Sequence, residues 1–243
     1  MARSLRDILA EFVGKPPGNI GVAVIHLAAA TEREPLIGAL EAACGCPVEI
    51  FPAVNGAERI AAGHPTLCAT EPAKIRTAGE IGCLLSHVEL ARRALAEGKT
   101  HMMVFEDDCV TAPKFSLAAV EEYLRSVKGL TETFSFEGAD EFLLFGSCGC
   151  YTWRHLTERT KATNKFNGSH CYFIGRPTME KLIGSYEYLL KKDVIVPVDG
   201  LISLLLKAQN RWALCPDDDR ALFVQNRDIP SYILGDGKTL RKE

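Results

Sequence analysis

Long hydrophobic runs are absent from this sequence of 243 residues. No stretch approaches the roughly 20 consecutive apolar residues that a membrane-spanning helix needs, so the sequence predicts no transmembrane segment. The N-terminus also lacks the unbroken apolar core of a secretory signal peptide, because Arg6, Asp7 and Glu11 interrupt it. Residues 1–18 have instead the pattern of a short amphipathic segment.

An excess of charge of one sign is also missing. Lys and Arg total 28 and Asp and Glu total 31, which gives a formal net charge of −3. No global field would therefore attract nucleic acid or an anionic membrane, and a small polar or phosphorylated partner is favoured. Internal repeats, low-complexity tracts and long linkers are absent as well. We interpret residues 1–243 as a single domain.

Cysteine is frequent, but the pattern of a disulfide or zinc scaffold is missing. The nine cysteines are odd in number, and several lie in apolar stretches where a free thiol packs as a small hydrophobic side chain. Two Cys-Gly-Cys segments, at 44–46 and 148–150, have a shorter spacer than metal-binding pairs usually have. We therefore expect free thiols and a cytoplasmic location.

Short aliphatic runs alternate with helical patterns along the chain. Strands are predicted at 20–27, 48–54, 101–105, 141–146 and 171–175, and helices at 31–43, 79–97, 115–127, 177–192 and 201–209. This alternation predicts a layered α/β domain with a mostly parallel central sheet. The stretches 56–78 and 147–170 have neither pattern and are interpreted as loops, where binding residues often lie.

Three acids, Glu106, Asp107 and Asp108, directly follow the predicted strand at 101–105. Side chains alternate along an extended segment, so Glu106 and Asp108 would share one face while Asp107 points the other way. Two neighbouring carboxylates repel unless a cation lies between them, and their oxygens suit Mg²⁺ or Mn²⁺, which in turn bind diphosphates. The alternative is a solvated turn, in which acids are common.

Four segments in order resemble glycosyltransferase family 25, the lipopolysaccharide and collagen galactosyltransferase-type enzymes. The segment "RTAGEIGCLLSHVEL" followed by "VFEDD" resembles the family's "GEIGC..SH" helix and "EDD" strand end. The segment "GSHCYFIGRPTMEKLI" is similar to its "GTHAY" strand with the following helix, and "VPVDGL" is similar to its "PVD" segment. Each piece is short, but together they cover roughly residues 20–235.

The resemblance implies a GT-A fold, which is a Rossmann-like three-layer α/β/α domain. It also implies inverting transfer of a hexose, most often galactose, from a UDP-sugar donor to a saccharide or glycoconjugate acceptor such as lipopolysaccharide. A divalent cation, Mn²⁺ or Mg²⁺, would be held by Glu106 and Asp108, with Asp107 beside the nucleotide. For such an acceptor we expect peripheral contact with the inner membrane face and no contact with nucleic acid.

The chain departs from the family pattern in the half that would bind the nucleotide. The family's "NL.R...R" segment reads "HLAAATER" here, so His26 takes the Asn place, Ala29 replaces the first Arg, and Arg33 remains. The family's "DG" after the second strand is Asn55-Gly56. His26, Arg33 and Asn55 are therefore candidate nucleotide-binding residues. A degenerate relative that binds a nucleotide sugar without transferring it is the alternative function.

Five further polar residues are candidates, each with a structural alternative. Glu80, in the first turn of its predicted helix, either caps the helix or contacts the ligand. Ser86 and His87 either contact the ligand or form hydrogen bonds within the fold. Asp199 is the first candidate for the general base of an inverting transfer, although it could instead cap the last helix or bind the donor sugar. His170 is the second candidate base.

Overall fold

The computed structural model describes residues 3–71, 74–134, 142–146, 149–157, 160–209, 211–216, 220–226 and 228–229. Short runs rich in aliphatic and aromatic residues form most of the strands. These are β1 Ile20–His26, β2 Glu49–Pro52, β3 His101–Glu106, β4 Cys109–Thr111, β5 Phe142–Gly146, β6 Gly149–His155, β7 Thr160–Asn167, β8 Cys171–Gly175, β9 Ala213–Pro216 and β10 Phe223–Gln225.

The segments with helical periodicity form the helices between these strands. The α-helices are α1 Leu5–Val13, α2 Glu34–Cys44, α3 Gly56–Ala61, α4 Ala78–Ala96, α5 Leu117–Phe134, α6 Arg176–Leu190 and α7 Val198–Ala208. Helix α1 confirms the amphipathic pattern of the N-terminal segment. Its Ser4 and Asp7 form a capping box, and Leu5 and Leu9 are fully buried.

The central sheet has eight strands in the order β2-β1-β3-β8-β5-β9-β7-β6, while β10 and β4 pair with each other separately. Strand β1 is parallel to β2 and to β3, and β5 is parallel to β9. Strands β8 and β7 are antiparallel to their neighbours. All strands of the sheet except these two therefore run in one direction, which confirms the mostly parallel arrangement.

Helices cover both faces of this sheet. Alternate residues of β1 point to opposite sides, so Ala23 and Ile25 pack with α4, α6 and α7, whereas Val22 and Val24 pack with α1, α2 and α5. Each side has its own buried hydrophobic cluster. The architecture is the predicted three-layer α/β/α fold.

Three local predictions were wrong. The stretch 147–170 contains the antiparallel pair β6 and β7 at the sheet edge, because its alternating polar residues form an edge strand rather than a loop. The helix predicted at 31–43 begins three residues later, since residues 31–33 form a 3₁₀ turn before α2 starts at Glu34. The stretch 56–78 is not a loop throughout, because its first residues form α3.

Two glycines bring α3 against the first turns of α4. A Cβ atom at Gly56 would lie 1.8 Å from the carbonyl oxygen of Ala78, and one at Gly82 would lie 2.6 Å from the carbonyl oxygen of Val54. Asn55 caps α3 through hydrogen bonds from the backbone N–H groups of residues 57 and 58. The Asn-Gly pair is therefore a helix start at a close backbone approach.

Seven of the cysteines are free thiols: Cys44, Cys46, Cys68, Cys83, Cys109, Cys171 and Cys215. Cys148 and the side chain of Cys150 lie outside the described part of the chain, so the second Cys-Gly-Cys segment stays a prediction. Among the helices of the described ranges, none combines the length and apolar character that crossing a membrane requires.

We expect the Gly82→Ala substitution to destabilise the protein, because the added methyl group cannot fit without moving the backbone of residue 54. The loss in the free energy of unfolding should be about 1–3 kcal/mol, as for other overpacked positions. Gly184→Ala is the matched control: it also lies within a helix, but has open space around the new Cβ atom. It should stabilise by about 0.5–1 kcal/mol. Urea denaturation of both variants measures the difference, and equal effects would contradict the role given to Gly82.

Candidate functional site

A cavity of about 260 Å³ opens at the carboxyl ends of β1, β2 and β3. Apolar residues that follow β1 and β2, among them Leu27, Ala53 and Val54, form one wall. The opposite wall is the first turns of α4, and the acids 106–108 lie at the end of β3. This is the edge of an open α/β sheet at which ligands generally bind.

Strand β8 reaches the same edge from the opposite direction. Because β8 is antiparallel to β3, its first residues lie beside the last residues of β3. The backbone N–H of Glu106 donates a hydrogen bond to the carbonyl oxygen of His170, at 2.9 Å. The reversed strand thus brings the "GSH" segment next to the acids.

Asp107 is the structural member of the acid triplet. Its Oδ2 atom accepts hydrogen bonds from His26 Nδ1 at 2.9 Å and from the backbone N–H of Leu27 at 3.1 Å. Its Oδ1 atom pairs with the guanidinium of Arg33. All three side chains are more than 90% buried. Asp107 therefore ties the end of β1 and the start of α2 to the end of β3.

The candidates His26 and Arg33 belong to this cluster. His26 is not among the residues that line the cavity, whereas Arg33 is, and its Nη1 atom lies 4.0 Å from Asp108 Oδ2. The sequence predicted that Asp107 points away from Glu106 and Asp108. In the structure, residues 107 and 108 form a turn after β3 instead of continuing the strand, and all three acids line the cavity.

Asp108 has an unsatisfied carboxylate oxygen. Its Oδ2 atom accepts a hydrogen bond from Gln225 Nε2 at 2.9 Å, while its buried Oδ1 atom has no hydrogen-bond partner within the described residues. Burial, and then the nearby Glu106 carboxylate, raise the pKa of Asp108 to about 7. A buried anionic oxygen without a partner is costly, so this position favours a cation.

Glu106 contacts α4 rather than the other two acids. Its Oε1 atom lies 3.3 Å from His87 Nε2, and His87 Nδ1 lies 2.7 Å from the hydroxyl of Tyr172. The His87 hydrogen bond and charge hold the pKa of Glu106 below its usual value, although burial opposes them. Glu106 is therefore the charged carboxylate of the site, and its negative charge acts on Asp108.

Ser86 and Asn55 line the cavity, but their side chains serve the fold. Ser86 Oγ donates to the carbonyl oxygen of Gly82 and accepts from the backbone N–H of Val54, at 2.6 and 2.8 Å. Asn55 caps α3, as described above. Glu80 forms a capping box with Thr77 and pairs with Arg76, and it is not among the cavity-lining residues.

Asp199 does not cap α7, in contrast to its structural alternative. It lies within the first turn, and its carboxylate accepts hydrogen bonds from the backbone N–H of Gly168 at 2.7 Å and from Ser169 Oγ at 2.6 Å. Burial is the main cause that raises its pKa, with a further contribution from Glu106. The side chain is half-buried, within electrostatic reach of Glu106 and His87.

His170, the second candidate base, is 1% exposed. Its Nε2 atom lies 3.5 Å from the carbonyl oxygen of Phe223, and a Cβ atom at Gly146 would approach it to 2.6 Å. The ring is thus packed inside the fold next to Glu106. Access to an acceptor substrate is better for Asp199.

Three residues of the site were missed in the sequence. Cys83 lines the cavity one helical turn before His87, a spacing that could have been noticed. Tyr172 contacts His87, which lies 85 positions earlier in the chain. Gln225 contacts Asp108, which lies 117 positions earlier. No local pattern signals contacts of that sequence separation.

We expect Asp107→Asn to destabilise the protein far more than Asp108→Asn. The first leaves Arg33 buried without its charged partner and should lower the free energy of unfolding by about 3 kcal/mol. The second removes a strained buried charge and should leave stability within about 1 kcal/mol of the parent protein. Urea denaturation without added metal measures both, and equal losses would show that the two carboxylates do not have separate roles.

Comparison with known proteins gives two bacterial relatives among curated sequences. The lacto-N-neotetraose biosynthesis glycosyltransferases LgtB and LgtE of Neisseria gonorrhoeae are each 32% identical over 126 residues. The alignment covers 48% of this chain and 40% of either relative. The matched part is therefore well under two thirds of the relatives' length.

Solved structures resemble the chain only distantly. A UDP-glucose pyrophosphorylase matches in its apo form and complexed with UDP-glucose, at 7% and 10% identity and TM-scores of 0.37 and 0.38. Each match covers 87% of this chain, and 77% and 76% of the respective structure. At these values the likeness says nothing about a ligand.

The sequence model of glycosyltransferase family 25 (LPS biosynthesis protein) matches residues 19–202. That range contains β1, β2, the acids after β3, the cavity-lining part of α4 and Asp199. With most of its length matched by the family model, the chain belongs to glycosyltransferase family 25.

Proposed function

We propose that this glycosyltransferase transfers a hexose, with galactose as the first candidate, from a UDP-sugar to a saccharide or glycoconjugate acceptor such as lipopolysaccharide. The observation that carries the proposal is the buried Asp108 Oδ1 atom, which has no hydrogen-bond partner in the part of the chain that the structure describes and lies near the Glu106 carboxylate. A diphosphate with its divalent cation would satisfy that oxygen and screen the repulsion between the two acids.

The donor set fits the proposed cation. Glu106 and Asp108 offer carboxylate oxygens, the ligands that Mn²⁺ and Mg²⁺ prefer. When bound, the cation would neutralise charge on the UDP diphosphate as UDP leaves. Gln225 fixes the orientation of Asp108, and Arg33 adds a positive charge at the same edge. The apolar wall at Leu27, Ala53 and Val54 suits the flat face of a nucleobase.

Asp199 is the proposed general base. It would accept the proton of the acceptor hydroxyl while that oxygen attacks the anomeric carbon, and UDP would depart from the opposite side, which inverts the configuration. Hydrogen bonds from Gly168 and Ser169 hold its carboxylate, and its raised pKa makes it a stronger base than an exposed aspartate.

The rival function is binding of a nucleotide sugar without transfer. Its support is the closed cluster of His26, Arg33 and Asp107, in which two candidate nucleotide contacts are already paired within the protein. Both functions require nucleotide binding, and only the enzyme releases UDP in the presence of an acceptor.

We expect UDP and UDP-sugars to raise the melting temperature when Mn²⁺ is present, while GDP- and CMP-sugars do not. Asp108→Asn should abolish this response, because the carboxylate that needs the cation is gone. Asp193→Asn is the matched control, since Asp193 is an exposed acid in a left-handed conformation that asparagine tolerates. A thermal-shift panel measures the responses, and an undiminished response of the Asp108 variant would refute the cation site.

We expect Asp199→Asn to reduce sugar transfer on the order of a hundred- to ten-thousand-fold, because the acceptor proton loses its base. The amide cannot accept the hydrogen bond from Gly168 as well as the one from Ser169, so a moderate loss of stability should accompany the change. Donor binding should persist.

Ser169→Ala separates these two effects. It removes one hydrogen bond to Asp199 and leaves the carboxylate in place. We expect a similar loss of stability with a far smaller loss of transfer, both measured by UDP release and by denaturation. Equal losses of transfer in the two variants would assign Asp199 to the loop structure instead of proton transfer.

A further inference from the structure

Cys83, His87 and Glu106 form a cluster in which the proposed transfer reaction uses only Glu106. One potential ligand atom from each residue lies within 4.8 Å of the other two, and the His87 Nε2 to Glu106 Oε1 distance is 3.3 Å. Cys83 and His87 are four residues apart on α4, which places both side chains on the same helix face. Glu106 approaches from the end of β3.

We propose that Cys83, His87 and Glu106 bind a borderline-soft divalent cation of the Zn²⁺ type, at a site that shares Glu106 with the Glu106 and Asp108 pair and adds a thiol and an imidazole. A thiol, an imidazole and a carboxylate are the three ligand types that zinc prefers, and three protein ligands with one open position are common where zinc also contacts a small molecule. Mg²⁺ and Mn²⁺ favour oxygen over sulfur.

The distances allow this coordination with little movement. Bonds of about 2.0–2.3 Å place tetrahedral zinc ligands roughly 3.3–3.8 Å from one another. His87 and Glu106 already meet that spacing, and Cys83 has about 1 Å or less to close. All three residues line the cavity, so a bound cation would be accessible from it.

Tyr172 supplies the outer-shell contact that zinc-binding histidines generally have. Its hydroxyl lies 2.7 Å from His87 Nδ1, and the two rings stack with centroids 5.6 Å apart. With a cation on Nε2, the Nδ1 proton would be donated to the tyrosine oxygen, which fixes the ring orientation. The same contact leaves Nε2 directed at Glu106 in the structure.

Carboxylates surround the thiol and give this part of the cavity a negative potential. Burial, and then the charges of Glu106, Asp199, Asp108 and Glu80, raise the pKa of Cys83. A divalent cation is attracted to this potential, and its binding would replace the thiol proton, which passes to solvent. The cluster shares Glu106 with the proposed donor site, so bound Zn²⁺ should compete with Mn²⁺ and UDP. That competition rests on the proposed function, whereas Zn²⁺ binding itself does not.

The test is titration of the chelator-stripped protein with Zn²⁺ alone, by calorimetry and by thermal shift without nucleotide. We expect saturable binding of one Zn²⁺ that Cys83→Ser weakens on the order of a hundredfold or more. Cys46→Ser is the matched control, a partly exposed thiol on the opposite face of the sheet. Co²⁺ should give a thiolate charge-transfer band that the Cys83 variant lacks.

Two further variants test the geometry. Tyr172→Phe removes only the hydroxyl and should weaken Zn²⁺ binding by about ten- to a hundredfold. Asp108→Asn should retain Zn²⁺ binding, since its carboxylate is not a ligand of this cluster. Equal Zn²⁺ affinity in the parent protein and the Cys83 variant, or loss of binding in the Asp108 or Cys46 variant, would overturn the proposal.

Discussion

The buried ion pair between Asp107 and Arg33 is the interaction on which the site depends. Together with the hydrogen bonds from His26 and from the backbone of Leu27, it fixes the ends of β1 and β3 relative to each other and to the start of α2. The cavity walls follow these strand ends. Burying both charges has a desolvation cost that offsets much of their attraction. The pair therefore matters for the geometry that it imposes as much as for the stability of the fold.

The three consecutive acids have different roles because they have different partners. Asp107 is paired with the Arg33 guanidinium and is part of the scaffold, whereas Glu106 is held by His87 and its pKa stays below the usual value. Asp108 has one oxygen without a partner among the described residues, and its pKa is raised to about 7. An unfavourable position of Asp108 is thus maintained by the rigid contacts of its neighbour Asp107.

The sequence sufficed for features that depend on local pattern. The aliphatic run at 20–27 and the amphipathic pattern at 79–97 produced β1 and α4, and their order along the chain was enough to predict the layers. The same reasoning predicted that the acids 106–108 lie at the carboxyl end of a strand. Family resemblance added the glycosyltransferase class, which the match over residues 19–202 confirms.

Other features depend on contacts between distant residues and had no local signal. Strand β7 joins the sheet by pairing with β9, which comes some 50 residues later, and β6 forms the edge by pairing with β7. Alternation along a strand could not describe Asp107, because the chain turns at that residue and Arg33 determines its direction. The partner of Asp199 proved to be the Gly168–Ser169 turn rather than its own helix.

Strand β10 lies beyond the residues that identify the family. The match ends at residue 202, yet Gln225 holds the carboxylate of Asp108, and the backbone N–H of Asn226 donates to the carbonyl oxygen of Asp108 at 2.7 Å. During synthesis on the ribosome, the motif-bearing part of the chain therefore emerges before the strand that orients its second acid. A chain that ended before β10 would carry every signature of the family and still lack the contacts that orient Asp108. The residues that identify the family and the residues that complete the site therefore lie in different stretches of this protein.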